Sequence, residues 1–115
     1  MGKKLKELEL LKEGDFIVEM VKGDYYSFGQ NRGSYFFTNE ALIFVSGFGV
    51  TTAVLPYCNI KEIKKCFVGP FIPTGIKVTD FDEKKGKNKK HKLSVLGRKK
   101  WMEYLSQKTG DLLSN

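Results

Sequence analysis

The segment Lys84–Lys100, KKGKNKKHKLSVLGRKK, combines residue types that could bind an anion. It contains nine basic residues and no acid: Lys84, Lys85, Lys87, Lys89, Lys90, Lys92, Arg98, Lys99 and Lys100. Of the 20 basic and 13 acidic residues in the chain, 11 basic and all 13 acidic ones lie elsewhere, so the net charge of +7 originates here. Localised charge attracts an oppositely charged partner, which makes the segment a candidate lipid- or anion-binding site. The alternative is a solvated hairpin tip whose lysines only prevent edge-to-edge association.

The two ends of this segment could act together. Lys84 to Lys90 surround Gly86 and are expected to form a flexible turn that attracts anions over a long range. Arg98-Lys99-Lys100 are expected at the start of a helix, where cations oppose the helix dipole. Free N–H groups at a helix start can bind an anion, so one interpretation is that the charges and the N–H groups serve one ligand. The alternative is that these side chains extend into water, where screening makes the unfavourable interaction with the dipole small.

His91, the single histidine, could in principle serve as a general base. The neighbouring lysines disfavour its charged form, and we expect it on a mobile hairpin tip. The chain has no P-loop, nucleophile elbow, H-E-x-x-H motif or paired metal-ligand spacing. The sequence therefore predicts a protein that is not an enzyme and that needs no metal and no cofactor.

The two cysteines, Cys58 and Cys66, lie on what reads as one turn and one extended strand. A strand of that length would hold their sulfur atoms more than about 20 Å apart, too far for a disulfide. We expect free thiols that are buried or half-buried.

Aromatic and β-branched runs separated by short polar breaks dominate the middle of the chain. In GSYFFTNEALIFVS, two such runs flank Thr38-Asn39-Glu40, which predicts two antiparallel strands joined by a tight turn. Asn39 suits such a turn because it tolerates the left-handed conformation or bonds to local backbone. Lys22-Gly23-Asp24 predicts a bulge or bend in the preceding strand, and FGQNRG predicts a six-residue turn.

The pattern predicts seven strands and one C-terminal helix. The strands are expected in FIVEMVKGDYYS, SYFF, ALIFVS, TTAVLPY, IKEIKKCFV, IKVTDFDE and HKLSVL. The helix is expected from about Arg98 to Lys108, with Trp101 and Leu105 packed on the sheet. A seven-stranded antiparallel sheet must fold over to bury its apolar face, which leaves an open end for this helix to plug. We therefore expect a mainly β, partly open barrel or sandwich capped by one helix.

One domain of residues 15–110 is expected, after a leader of residues 1–14 and before a tail of residues 111–115. Leu5, Leu8 and Leu11 recur at helical spacing, so the leader could form a short amphipathic helix. No apolar run approaches the roughly 18 residues of a membrane span, and the charged N-terminus has no apolar signal core. A cytoplasmic protein, with peripheral membrane association as an option, is the expectation.

The order of these elements resembles the GRAM domain, a member of the pleckstrin-homology-like superfold. The resemblance runs from about Phe16 to Gln107 and rests on these residues in this order: Gly33, Thr38-Asn39, Leu42-Ile43-Phe44, Leu55-Pro56-Tyr57, Ile60, Ile63 and Trp101. Phosphoinositide-binding pleckstrin-homology domains carry a basic cluster across the first hairpin. Here that hairpin has only Lys22 and Arg32, with Asp24 between them.

Two binding functions follow from the residues and the resemblance together. In the first, the basic end binds anionic lipid headgroups or a membrane surface, with Phe71 and Ile72 of GPFIPTG as an apolar contact. In the second, the domain binds a protein, or a second copy of itself, through an open sheet edge or through GPFIPTG. Nucleic acid is disfavoured, because the run Lys84–Lys92 has no aromatic residue on which bases could stack.

Overall fold

The computed structural model of the protein describes residues 10–26, 29–47, 52–66 and 75–110, together with the backbone of residues 113–114. Within these residues the chain forms strands followed by one α-helix. The strands and the helix are β1 (Ile17–Tyr26), β2 (Gln30–Thr38), β3 (Ala41–Ser46), β4 (Thr52–Pro56), β5 (Ile60–Cys66), β6 (Gly75–Asp82), β7 (Lys87–Val95), α1 (Arg98–Lys108) and β8 (Leu113–Ser114). A short 3-10 turn, Tyr57–Asn59, connects β4 to β5.

The strands form one sheet in the order β4-β3-β2-β1-β7-β6-β5-β8. Seven of them are antiparallel to their neighbours, and the two-residue β8 runs parallel to β5. The sheet consists of two consecutive meanders, β1 to β4 and β5 to β7. Among the described residues, the strand pairing between them is that of Gly23–Tyr26 with Lys92–Val95. Within the described residues β4 and β5 do not pair, so the sheet stays open. The predicted mainly β, partly open architecture with seven strands and a C-terminal helix is confirmed.

The main core lies between the inner faces of the two meanders and the helix. Alternate residues along each strand face inward, as the period of a strand requires. They include these buried side chains: Tyr35, Phe37, Leu42, Phe44, Leu55, Ile63, Ile76, Val78 and Leu93. Trp101, Met102 and Leu105 of α1 complete this cluster, and the Trp101 ring stacks on Phe37 at a centroid distance of 4.0 Å. The helix bounds and the buried tryptophan agree with the sequence prediction.

A second apolar cluster covers the opposite face of β2 and β3. It comprises Phe36, Ala41, Ile43 and Val45, with Leu10, Leu11, Ile17 and Met20 packed against it. Every residue of β3 is therefore buried, because both of its faces are covered. Residues 1–9, which hold most of the predicted leader helix, lie outside the described residues.

The predicted break in β1 at Gly23 is wrong. Pairing between β1 and β2 is continuous across Lys22, Gly23 and Asp24, and the register shift lies between Ile17 and Glu19 instead. A Cβ atom at Gly23 would lie 2.4 Å from the carbonyl oxygen of Ser94, so the glycine serves the close approach of β7. The predicted six-residue turn is also shorter than expected, because β2 already begins at Gln30.

The uneven alternation of IKEIKKC has a structural cause. A register shift between Ile60 and Glu62 inserts one extra residue into β5 opposite β6. Ile60 and Ile63 consequently both face the core, at 3% and 0% exposure. Phe67 lies outside the described residues. Cys58 and Cys66 are free thiols as predicted, but Cys58 is exposed rather than buried because it lies in the 3-10 turn.

The turn between β2 and β3 is as tight as predicted, but Thr38 makes its local hydrogen bonds. The fully buried Thr38 hydroxyl accepts bonds from the backbone N–H of Ala41 at 2.9 Å and of Glu40 at 3.3 Å. The Asn39 side chain instead accepts a 3.0 Å hydrogen bond from Lys108 Nζ. The turn is thereby linked to the C-terminal end of α1.

Candidate functional site

The β6–β7 hairpin carries six of the nine predicted basic site residues. A short turn at residues 83–86 joins the strands, and Asp82 Oδ1 accepts hydrogen bonds from the backbone N–H of Lys84 and Lys85 at 3.0 and 3.2 Å. Gly86 provides the positive φ of 66° that closes this turn. The exposed lysines of the hairpin are Lys84, Lys85, Lys87, Lys89, Lys90 and Lys92. Four of them lie on strand β7, so the turn is shorter than the expected turn of Lys84 to Lys90.

The other three basic residues lie at the opposite end of β7. Nine residues of extended strand separate them from the turn, a distance of roughly 25–30 Å. Arg98 reaches the carbonyl oxygen of Gly75 at 3.5 Å, and Lys100 pairs with Glu19 at 3.4 Å and lies over the Trp101 ring. Lys99 is exposed. The structure thus divides the predicted patch into two clusters. Phe71 and Ile72 lie outside the described residues.

A cavity of about 380 Å³ opens between β4 and the β6–β7 hairpin, at the place where the sheet does not close. Ala53, Val54 and Pro56 of β4 line one side. Lys84 and Lys89 line it from the hairpin. The cavity therefore lies beside the basic hairpin, but sequence reasoning did not identify it.

Three buried polar side chains line this cavity and form one hydrogen-bonded chain. His91 Nδ1 lies 2.7 Å from the Tyr25 hydroxyl, and His91 Nε2 lies 2.7 Å from Asp80 Oδ1. The three residues are only 5–6% exposed. They belong to three adjacent strands, β1, β7 and β6, and each contact joins diagonal neighbours across a strand pair. His91 is therefore a buried linking residue, and the expectation that it lies on a mobile tip is wrong.

His91 is the single histidine of the chain, and its imidazole lies buried between Tyr25 and Asp80. Burial lowers its pKa below the ordinary value of 6.5 and outweighs the opposing effect of the hydrogen bond with Asp80. Burial, followed by the negative charge of Asp80, raises the pKa of the Tyr25 hydroxyl, which stays protonated. At neutral pH the uncharged imidazole consequently donates Nε2–H to Asp80 and accepts a hydrogen bond from Tyr25 at Nδ1.

The lowered pKa of His91 predicts a loss of stability on acidification. Below pH 6.5 the unfolded chain binds a proton at His91 that the folded chain does not yet bind, so the free energy of unfolding falls as pH decreases towards the folded pKa. Urea unfolding of the wild type and of His91→Gln between pH 7.5 and 5 measures this. The wild type should lose more stability than the variant over that interval. Parallel curves would contradict the assignment, and an NMR titration of the single imidazole gives the folded pKa directly.

Two polar residues at inward-facing strand positions are the sequence pattern from which the polar side of the cavity could have been predicted. His91, Leu93 and Val95 alternate along β7, and Asp80 continues the alternation of Ile76 and Val78 along β6. Polar residues at core positions of two neighbouring strands indicate a buried polar pair. Asp80 was not singled out from the sequence, and the dense lysines obscured the position of His91.

Comparison with solved structures identifies a pleckstrin-homology-like fold. The C-terminal domain of an unknown protein from Leishmania infantum is 19% identical, with 93% of this chain and 92% of that chain covered and a TM-score of 0.72. The DH/PH domains of p115-RhoGEF are 12% identical, with 98% of this chain and 35% of that chain covered and a TM-score of 0.59. The hSac2 domain of the human phosphoinositide phosphatase Sac2 is 13% identical, with 99% and 83% covered and a TM-score of 0.58. At these identities the likeness concerns the fold.

The sequence itself matches no protein-family model and none of the curated proteins. The resemblance to GRAM domains within the pleckstrin-homology-like fold therefore stays a prediction. In the part of the chain that the structure describes, no helix is long and apolar enough to cross a membrane.

Proposed function

We propose that this protein is a non-enzymatic binding module whose β6–β7 hairpin binds anionic lipid headgroups at a membrane surface. The observation that carries the proposal is the arrangement of six exposed lysines on one ordered hairpin. Asp82 and Glu83 are the only acids between Asp82 and Lys92, so this stretch has a net charge of +4. Among the described residues, none of the six lysines forms an ion pair with a carboxylate. Their charges are available to a partner.

The electrostatic attraction expected from these lysines is large enough for peripheral binding to a membrane. A lysine near an anionic leaflet contributes about 1 kcal/mol, and the contribution decreases within a Debye length of about 8 Å at physiological salt. A rigid hairpin can bring several lysines to a surface together without the entropic cost of ordering a flexible loop. Binding by this mechanism is strongly dependent on salt.

The names of two structural neighbours support the proposal. One structural neighbour is a domain of a phosphoinositide phosphatase, and another includes a PH domain. The first hairpin, β1–β2, has no basic cluster like that of the β6–β7 hairpin. Asp24 lies opposite Arg32 in the strand register and accepts a 2.8 Å hydrogen bond from Gln30. The β6–β7 hairpin is therefore the preferred membrane-facing surface. Arg98, Lys99 and Lys100 lie outside this surface, and a contact by Phe71 and Ile72 stays a prediction.

A double charge reversal tests the hairpin. Replacing Lys87 and Lys90 by glutamate changes the net charge of the hairpin from +4 to about zero, while neither side chain lines the cavity. Co-sedimentation with vesicles that contain phosphatidylserine should fall at least about tenfold, since two attractive contributions of about 1 kcal/mol are lost. The melting temperature should change little because both residues are exposed.

A matched control separates local charge from total charge. Lys65 and Lys99 are exposed and lie at the end of β5 to β7 opposite the turn, so Lys65→Glu with Lys99→Glu produces the same change in net charge. This control should keep most of the vesicle binding. If both double variants lose the same amount of vesicle binding, the effect is caused by total charge and not by the hairpin. If the wild type does not bind vesicles even at low salt, the lipid proposal is refuted.

One observation favours a second candidate function, a protein-interaction module. Strand β4 pairs with β3 along one edge and has no second neighbour among the described strands. An open edge can pair with an extended segment of another chain. Concentration-dependent self-association, or peptide binding without vesicle binding, would support this alternative.

A further inference from the structure

The hydrogen bonds around the cavity leave an excess of acceptors. The Nε2–H of His91 is donated to Asp80, and the Tyr25 O–H is donated to His91. The amide of Asn59, which also lines the cavity, is donated to Glu83 at 3.4 Å. The donor groups of Tyr25, His91 and Asn59 are thus already occupied by hydrogen bonds to neighbouring residues of the cavity. A ligand that enters the cavity meets mainly oxygen lone pairs.

The charges of the residues that line the cavity also favour a cation. Three carboxylates, of Asp80, Asp82 and Glu83, face the cavity together with two ammonium groups, of Lys84 and Lys89. Both lysines are exposed, and their long side chains can extend into water. Asp80 is fixed at 6% exposure. Glu83 is as exposed as the two lysines. With His91 uncharged, three acids and two lysines give the lining a net charge of −1, and its one buried charge, on Asp80, is negative.

We propose that this cavity binds an alkyl-linked cation, such as the guanidinium or ammonium group of an arginine or lysine side chain. Tyr25 and the carboxylates of Asp80 and Asp82 accept the hydrogen bonds of the cationic group. Ala53, Val54 and Pro56 on the β4 side supply apolar contact for the alkyl stem. This site differs from the proposed lipid surface in the sign of its ligand, although Lys84 and Lys89 border both.

Protonation of His91 opposes the cation in two ways. It adds a positive charge to the cavity, and the charged imidazole then donates at both nitrogens. Tyr25 then accepts Nδ1–H with one of its lone pairs, and its own O–H is released as a donor, which a cationic ligand cannot accept. The other groups facing His91 are Asp80 and Asp82 from β6, Lys89 from β7, and Glu83 and Lys84 from the turn. By linkage, a bound cation lowers the pKa of His91 further.

NMR titration of the whole protein with N-acetyl-arginine methylamide tests the site. The neutral isostere N-acetyl-citrulline methylamide is the matched control. The arginine derivative should shift the resonances of Tyr25, Asp80 and His91 and lower the pKa of His91. Citrulline should bind at least about tenfold more weakly, because a hydrogen bond to a charged group is stronger than one to a neutral group. Agmatine has the guanidinium group without the peptide unit. Comparing its affinity with that of the arginine derivative shows whether the cavity prefers a free amine or the side chain of a polypeptide.

Two kinds of variant complete the experiment. Tyr25→Phe and Asp80→Asn should weaken arginine binding at least about tenfold. The double variant Lys87→Glu with Lys90→Glu removes positive charge beside the cavity and should not weaken arginine binding even where vesicle binding is lost, so the two proposals fail separately. Equal binding of citrulline and arginine derivatives, or an unchanged His91 pKa at saturating arginine derivative, would overturn the inference. These two outcomes are measured on the wild type and do not depend on the folding of a variant.

Discussion

Replacing Trp101 by alanine should lower the free energy of unfolding by about 3–5 kcal/mol, the range for a large aromatic removed from a core. Trp101 is 4% exposed and stacks on Phe37 with an interplanar angle of 15°. Tyr104 contacts the Trp101 ring edge-on at 5.6 Å, so the substitution removes the centre of an aromatic cluster. Because domains are stable by only about 5–15 kcal/mol, this loss is a large share of the total stability. Urea denaturation followed by circular dichroism measures the change.

Leu96 provides the control for this substitution. It lies just before the helix and is 82% exposed, so Leu96→Ala removes an apolar side chain that contributes little packing. Its effect should stay within about 0.5 kcal/mol. A Trp101→Ala variant as stable as Leu96→Ala would mean that the helix does not hold the two meanders together.

Replacing Gly33 by alanine should have a comparably large effect through backbone overlap. A Cβ atom at this position would lie 2.2 Å from the carbonyl oxygen of Val45 and 2.7 Å from Ser46 Cα. Both atoms are backbone of the neighbouring strand β3, which is buried on both faces and cannot move aside. We expect a loss of about 3 kcal/mol or more, at the upper end of overpacking effects. Thermal unfolding and the amide spectrum of β3 report the loss.

Gly47 is the matched glycine for comparison. It follows β3 directly, and a Cβ atom there would have its nearest neighbour, the Arg32 carbonyl oxygen, at 3.9 Å. Gly47→Ala should therefore be nearly neutral or slightly stabilising, since alanine restricts the unfolded chain. If both alanine variants lose the same stability, the effect of Gly33→Ala is not caused by the contact with β3.

The sequence predicted what depends on local periodicity. The continuous apolar, β-branched run ALIFVS and the helical spacing of Trp101 and Leu105 indicate their elements directly, and the helix begins and ends where expected. It did not predict features that arise from pairing with distant strands. The shift at Ile60 and the close approach at Gly23 depend on β6 and β7. Neither neighbour is identifiable from local composition.

The candidate site shows the same division. Exposure of the hairpin lysines follows from their composition, and it was predicted. The separation of Arg98 from Lys84 was not, because distance along a strand becomes distance in space only when the intervening residues are extended. The Tyr25–His91 contact joins residues 66 positions apart and could only be identified once β1 was paired with β7. Long-range pairing thus decides which residues share a site.

The order of the strands has a consequence for how the chain folds. Within each meander every strand pairs with its neighbour in sequence, so these contacts close short loops quickly. The four residue pairs between β1 and β7 close a loop of about 70 residues, which costs more entropy than any single hairpin. We expect the meanders to form early and the β1–β7 junction to form late. In stopped-flow kinetics, Tyr25→Phe should then mainly accelerate unfolding and leave the folding rate nearly unchanged, because the contact it removes is absent from the transition state.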